Sequence, residues 1–256
     1  MKHLIVNADD YGFSVEINQG IVHCFENGIV TNASMIVNEM ASKDAARLAQ
    51  KHGLPVGLHL NLFSGEFADA GDLFGPHGLL RQVLYEREEL GKINERLSPD
   101  VLAAVSYEFE RQTELFYGMV GVLPNHVSYH FGLHFIPEVL DVFIAFAQKA
   151  RIVFRFKRVN ELTSPLSEKS KCPHRWYDLF HGGHLVLRDL EQLLEDLPDG
   201  INEISAHPGF VSQQLEDSYN QERLNELEIL CSPKARAAVE RHHITLSNYA
   251  VCGSYV

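Results

Sequence analysis

Short apolar or alternating runs recur along the chain, and segments with helical periodicity separate them. Runs of this kind predict seven β-strands, at residues 4–8, 31–37, 55–62, 125–130, 152–156, 201–206 and 244–246. Three helices have recognisable ends: residues 15–27 between Ser14 and Gly28, 41–52 before Gly53, and 100–117 between Ser98-Pro99 and Gly118. The alternation of strands and helices indicates parallel strands joined by crossover helices.

Seven strands over 256 residues favour one α/β domain, residues 1–256, with a TIM-barrel-like (β/α) barrel that is closed or slightly irregular. A doubly wound open sheet is the alternative. Two stretches, 63–80 and 164–183, interrupt the rhythm and predict long loops. Loops of this kind cover the mouth of a barrel's active site or are plain surface insertions.

Composition and charge narrow the function. The 22 basic and 34 acidic residues give a net charge of −12, without a basic block, which disfavours nucleic acid and anionic membranes as partners. The N-terminus lacks a signal-peptide pattern and no apolar run has the length of a membrane span, so we expect a cytoplasmic protein. Four cysteines without a CxxC pair favour thiols over a disulfide framework or a thiolate metal site. Any metal would therefore have oxygen and nitrogen ligands.

Chemically active side chains cluster at predicted strand ends. Asp9 and Asp10 follow the first apolar run, where two carboxylates are costly unless a metal or a hydrogen-bond network compensates them. Adjacent strand residues point to opposite faces, so one acid could bind a metal while its neighbour faces a water molecule. An Asp-Asp pair before a glycine is by itself more typical of a turn.

Histidines lie within, at the end of, or directly after three other predicted strands. His59 interrupts an apolar run, His130 follows His126 and Ser128 on one strand face, and His207 precedes a Pro-Gly turn. Each alone is more typical of a buried core residue or a turn. Together with one carboxylate, two imidazoles leave the open coordination positions that a hydrolytic metal site requires. His207 would then protonate a leaving amine or hold an oxyanion.

The ordered set of motifs resembles the YdjC-like carbohydrate deacetylases, which include chitooligosaccharide deacetylase. The matching segments extend over essentially the whole chain: 6–12, 27–31, 56–62, 126–137, 203–209, 218–223 and 244–249. Family members often read His-Leu-Asp-Ser-His-His where this chain has His-Val-Ser-Tyr-His-Phe at 126–131. Ser128 thus replaces an acid and Phe131 replaces a histidine, which bears on substrate choice and rate.

The resemblance implies a TIM-barrel-like fold and a divalent metal ion held by Asp10, His59 and His130. It implies Asp9 as the general base and His207 beside the leaving group. The metal would be magnesium or zinc, with cobalt and manganese as alternatives. The substrate would be a small N-acetylated sugar resembling chitobiose, with or without phosphate, and the assembly a homodimer or another small homo-oligomer.

Further residues are candidates for substrate contacts. Arg155 would bind Asp9, a substrate oxygen or a phosphate, or form a structural ion pair. Trp176 and Tyr177, in the second predicted loop, would stack on a sugar ring or anchor the loop.

Two other functions compete with deacetylation. One is glycosidic-bond hydrolysis in a phosphorylated disaccharide, with Asp9 and Asp10 as paired acids. It is less favoured because adjacent strand residues diverge and because it leaves His59 and His130 without a role. The other is a sugar- or metal-binding protein without catalytic activity, which the replacements at Ser128 and Phe131 permit.

Overall fold

A computed structural model describes residues 1–67, 72–88, 96–155, 173, 175–178 and 186–253. Its strands are β1 (Lys2–Tyr11), β2 (Asn32–Met35), β3 (Val56–Leu60), β4 (Val127–Tyr129), β5 (Arg175–Tyr177), β6 (Gly200–Ala206) and β7 (Ile244–Leu246). All pairs are parallel, in the order β4-β3-β2-β1-β6-β5, and β7 pairs with the first residues of β1. A parallel bridge from Val127 to Phe154 extends the sheet beyond β4.

The sheet curls into a partial barrel. Arg155, at the β4 side, hydrogen bonds to Asp9 on β1 and to Glu203 on β6, so the two sides of the sheet meet across the interior. The described residues form eight α-helices: α1 (Val15–Asn27), α2 (Ser42–His52), α3 (Leu79–Glu88), α4 (Pro99–Val120), α5 (Pro137–Ala150), α6 (Leu187–Asp196), α7 (Asp217–Leu230) and α8 (Pro233–Arg241). The predicted TIM-barrel-like α/β fold is confirmed.

Helix boundaries follow the predicted capping residues in most places. The Ser14 hydroxyl accepts a hydrogen bond from the Ile17 amide at 3.2 Å and begins α1, as the sequence predicts. The predicted end of α4 at Gly118 is wrong, because the helix continues to Val120 and ends at Gly121. Gly121 has a φ of 83°, the left-handed conformation that closes a helix, whereas Gly118 is an ordinary helical residue.

The two predicted loops need partial correction. The 164–183 segment contains β5, which has three residues and is too short to show an alternating pattern. Most of the other residues of this segment lie outside the described ones. The 63–80 segment ends at the start of α3, while 68–71 lie outside the described residues. Of the predicted strand 152–156, Phe154 alone forms a bridge, and residue 156 is not among the described ones.

Cysteine use differs from the expectation in one respect. Cys24 and Cys231 carry free thiols, as predicted, but Cys252 is disulfide-bonded. Among the described residues, no helix combines the length and the apolar character needed to cross a membrane.

β1 is the centre of the core, because it pairs with β2, β6 and β7, and its residues from Leu4 onward are buried. One close contact beside it fixes β3 against β4. Gly57 on β3 lies directly against the imidazole and the carbonyl of His126, so that any side chain at position 57 would overlap them. The fully buried His126 ring also stacks on Tyr249, with 3.8 Å between the ring centroids.

The contact between Gly57 and His126 gives a stability prediction. We expect Gly57→Ala to lower the free energy of unfolding by about 1 to 3 kcal/mol, because the added methyl group overpacks a closed site. Gly118→Ala is the control: no neighbouring atom lies within 4 Å of the added carbon, and alanine favours a helix by about 1 kcal/mol. Denaturant unfolding measures both, and a Gly57→Ala protein as stable as the parent would contradict the packing described here.

Candidate metal centre

The predicted site residues come together at one end of the barrel. Asp9 and Asp10 lie near the end of β1, His59 near the end of β3, His130 directly after β4 and His207 directly after β6. All five line a cavity of about 510 Å³. They meet because the carboxyl ends of parallel strands lie on one edge of a barrel, where active sites of such folds are built.

A local irregularity in β1 turns both carboxylates toward this cavity. The register between β1 and β2 shifts between Ala8 and Tyr11, and Asp10 has a left-handed φ of 65°. The expectation that the two acids face opposite sides of the strand is therefore wrong, since both line the same cavity. A non-glycine residue in this conformation costs roughly 1 to 3 kcal/mol and is typical of functional sites.

Asp10, His59 and His130 form a compact group of potential metal ligands. Asp10 Oδ1 lies 2.7 Å from His130 Nδ1 and 3.5 Å from His59 Nε2. One ligand atom from each of the three buried residues lies within 4.8 Å of the others. His130 Nε2 is buried and has no hydrogen-bond partner among the described residues. One oxygen and two nitrogen donors fit a divalent cation, and three protein ligands leave positions open for other ligands.

The electrostatic environment keeps Asp10 ionised. Burial alone would raise its pKa, but the neighbouring His130 and Arg223 outweigh burial and hold the pKa well below the ordinary value. Arg223 donates a hydrogen bond to Asp10 Oδ2, which leaves Oδ1 facing the two imidazoles. A carboxylate has to be deprotonated to bind a metal, so the ionised Asp10 can serve as a ligand.

Asp9 has different partners. The guanidinium of Arg155 donates to both of its oxygens, at 2.5 and 3.0 Å, and Asn7 donates to Oδ1 at 2.7 Å. Burial would raise the pKa of Asp9, but the charge of Arg155 outweighs it and lowers the pKa below the ordinary value. Arg155 also donates from Nε to Glu203 at 2.8 Å. Of the alternatives for Arg155, the structure thus shows the pair with Asp9.

Two side chains of α7 that were not predicted as site residues bind the backbone of His207. Glu226 accepts a hydrogen bond from the His207 amide, and Arg223 donates to the His207 carbonyl at 3.1 Å. Burial lowers the pKa of His207, although Asp10 and Asp9 oppose this effect. A signal for α7 was available, since Tyr219, Arg223 and Glu226 repeat at helical spacing on the face that lines the cavity.

Aromatic side chains border the cavity. Trp176 lines it, with its ring centroid 5.9 Å from Arg155 Cζ. Phe131 and Tyr219 also line it, and each exposes 46% of its surface. Apolar ring faces of this kind, next to hydrogen-bonding groups, suit a small polar ligand with an apolar face.

The fold and the site together define an α/β-barrel protein with a candidate metal centre at the carboxyl ends of its strands. Residues 3–241 match the family described as YdjC-like protein. The chitooligosaccharide deacetylase of Yersinia pestis (strain Pestoides F) is 33% identical over 258 residues, which cover 98% of this chain and 99% of the relative. That of Yersinia enterocolitica is 32% identical over the same length. The chain belongs to the YdjC-like family.

Two solved structures share this fold. A protein of Enterococcus faecalis V583, whose given name proposes cellobiose-phosphate cleavage, has a TM-score of 0.78 at 25% identity, with 98% of each chain covered. A family 4 carbohydrate esterase from Streptomyces lividans in complex with acetate has a TM-score of 0.52 at 12% identity, covering 100% of this chain and 97% of the esterase. The second similarity is evidence for the fold alone.

The environment of Glu226 gives a pH prediction. Burial raises its pKa from 4.5 to about 8, so the folded protein keeps a proton that the unfolded chain has already lost. The contribution to stability is complete below pH 4.5 and is lost as the pH rises to 8, by at most about 1.4 kcal/mol per pH unit. We expect Glu226→Gln to remove this part of the pH dependence. Denaturant unfolding of the metal-free proteins at pH 5, 6.5 and 8 measures it, and parallel pH profiles would contradict it.

Proposed function

We propose that the protein is a metal-dependent hydrolase that removes the acetyl group from a small N-acetylated sugar, such as N,N′-diacetylchitobiose. The observation that carries the proposal is the buried group of Asp10, His59 and His130 beside Asp9 and His207 in one cavity. A cavity of about 510 Å³ has the size of a small-molecule site. The names of the Yersinia relatives support the same reaction and the same class of substrate.

Asp10, His59 and His130 would hold the cation. When bound, a divalent cation supplies positive charge that polarises a carbonyl group and lowers the pKa of water. Magnesium, zinc, cobalt and manganese all accept carboxylate and imidazole ligands, so the donor set does not select one of them.

Asp9 acts as the general base in this proposal. Arg155 keeps its carboxylate ionised and, together with Asn7, fixes its orientation at the cavity wall. The carboxylate accepts a proton from the attacking water as the bond to the acetyl carbon forms. The lowered pKa makes Asp9 a weak base, so its contribution depends on position more than on basicity.

The protonated form of His207 donates its proton to the amine nitrogen as the bond between that nitrogen and the acetyl carbon breaks. The ring of His207 lines the cavity, while Glu226 binds its backbone N–H and Arg223 binds its backbone carbonyl.

Trp176 would stack on a sugar ring, and the exposed faces of Phe131 and Tyr219 offer further stacking surfaces. Arg155 already binds Asp9 and Glu203, so any contact with the substrate would be an additional one. Assembly into a homodimer or another small homo-oligomer stays a prediction.

The name of the Enterococcus protein makes glycosidic-bond cleavage the second candidate. That reaction needs a carboxylic acid that stays protonated near neutral pH. Asp9 and Asp10 both have lowered pKa values and both pair with an arginine, so neither suits the role of proton donor. Glycosidic cleavage with Asp9 and Asp10 as the paired acids is therefore disfavoured. It would also leave the group formed by Asp10, His59 and His130 without a role, which favours deacetylation.

The reaction is tested by incubating metal-stripped protein with N,N′-diacetylchitobiose or its 6-phosphate, after adding back zinc, cobalt or magnesium. We expect acetate to be released only when a metal is added. Release of monosaccharide without acetate would favour glycosidic cleavage. Release of neither product would favour a binding protein without catalytic activity.

The ligand assignment predicts metal contents. His59→Ala, His130→Ala and Asp10→Asn should each lose at least 90% of the bound metal, and Asp9→Asn should retain it with an activity at least 100-fold lower. His52→Ala, which removes an imidazole outside the cavity on α2, is the matched control. Metal analysis after gel filtration gives the result. Loss of metal from Asp9→Asn with retention by Asp10→Asn would show that the two acids have exchanged roles.

A further inference from the structure

A chain of buried polar side chains runs from His59 into the barrel. His59 Nδ1 lies 2.7 Å from the Ser128 hydroxyl, which lies 2.9 Å from the Ser34 hydroxyl. Ser34 Oγ is in turn 2.9 Å from His126 Nε2, and His126 Nδ1 is 2.7 Å from Asn125 Oδ1. These four contacts connect a candidate metal ligand to Asn125, two residues before β4 begins.

The asparagine end fixes the protonation of His126. Asn125 Nδ2 donates to Asn32 Oδ1 at 2.7 Å, so the amide of Asn125 is oriented with Oδ1 toward the imidazole. An amide oxygen only accepts, so His126 Nδ1 carries the proton. Asn32 Nδ2 lies 3.4 Å from the same nitrogen but makes its shorter hydrogen bond to Asn7 Oδ1, at 2.8 Å. Burial lowers the pKa of His126 well below the ordinary value, which keeps the ring neutral. Its Nε2 is then an acceptor.

The direction of each following hydrogen bond is determined by the one before it. Ser34 gives its only hydroxyl proton to His126 Nε2 and accepts from Ser128. Ser128 gives its proton to Ser34, so its oxygen accepts from His59 Nδ1. His59 therefore carries a proton on Nδ1, which leaves Nε2, 3.5 Å from Asp10 Oδ1, as the ring nitrogen available to a cation.

We propose that Ser128 and Ser34 are positioning residues that hold His59 in the Nδ1-protonated tautomer and so present Nε2 to a cation. Both serines and His126 are fully buried, so no bulk water is available to supply the alternative proton arrangement. A hydrogen bond to the second ring nitrogen is the usual means by which proteins orient a metal-binding histidine. Here the acceptor is the neutral hydroxyl of Ser128. The direction in which it donates its own proton is set by Ser34, His126 and Asn125.

The same junction also connects to Asp9. One Asn7 amide nitrogen donates to Ser34 Oγ at 2.8 Å and to Asp9 Oδ1 at 2.7 Å. Its oxygen accepts from Asn32 at 2.8 Å, which fixes the orientation of the amide. Ser34 thus supports the proposed base through Asn7 and the proposed ligand His59 through Ser128.

The tautomer of His59 is tested by nitrogen NMR of metal-free protein labelled with ¹⁵N-histidine. We expect His59 of the parent to carry a proton on Nδ1, hydrogen bonded to Ser128. Ser128→Ala removes the acceptor and should shift His59 toward the other tautomer or a mixture. Ser34→Ala removes the residue to which Ser128 donates and should have the same effect. This variant replaces Ser128→Ala if Ser128→Ala does not fold. An unchanged His59 tautomer in the folded variant overturns the proposal.

Metal affinity gives a second measurement, by competition between the protein and a chelator for zinc. We expect Ser128→Ala to bind at least 10-fold more weakly. Ser212→Ala is the control, because Ser212 is a buried serine that accepts from the Gln214 amide, outside this chain of hydrogen bonds. An equal loss in Ser212→Ala, or no loss in Ser128→Ala, overturns the proposal. The inference rests on the proposed metal site. Because the tautomer is measured without metal or substrate, a protein that lacks deacetylase activity could still confirm the tautomer, so the two failures can be told apart.

Discussion

The structure depends on the compensation of two adjacent buried carboxylates. Asp9 and Asp10 expose 4% and 3% of their surface, and two unpaired charges at such a depth would cost several kcal/mol each. Two arginines from distant parts of the chain compensate them: Arg155 pairs with Asp9, and Arg223 on α7 pairs with Asp10. These ion pairs connect β1 to the far edge of the sheet and to a helix, so the electrostatic requirement of the site also ties the partial barrel together.

The two arginines compensate the charges of Asp9 and Asp10 in different ways. Both oxygens of Asp9 accept from Arg155, whereas Arg223 occupies only Oδ2 of Asp10 and leaves Oδ1 to the imidazoles. The left-handed backbone at Asp10 brings both carboxylates to the same cavity despite their adjacent positions. This difference supports the proposed roles, with Asp10 as the metal ligand and Asp9 as the base.

The sequence predicts the part of this site that follows from strand periodicity. Asp10, His59 and His130 each lie within one residue of a strand's carboxyl end. The carboxyl ends of parallel strands converge, so the meeting of these residues could be predicted from position alone. The register shift in β1 and the left-handed backbone at Asp10 could not be predicted, because an Asp-Asp-Tyr-Gly run fits an ordinary strand end as well. Arg223 and Glu226 were missed because their function depends on how α7 docks against the barrel. β5 was missed because three residues carry no readable periodicity.

The most direct test of the central claim is a crystal structure of the protein soaked in cobalt or zinc, with anomalous scattering data collected at the metal's absorption edge. The account predicts one strong anomalous peak bounded by the Asp10 carboxylate and the rings of His59 and His130, with Asp9 still paired to Arg155. A protein without a peak there, or with its strongest peak at other side chains, would contradict the assignment of this group as the metal centre.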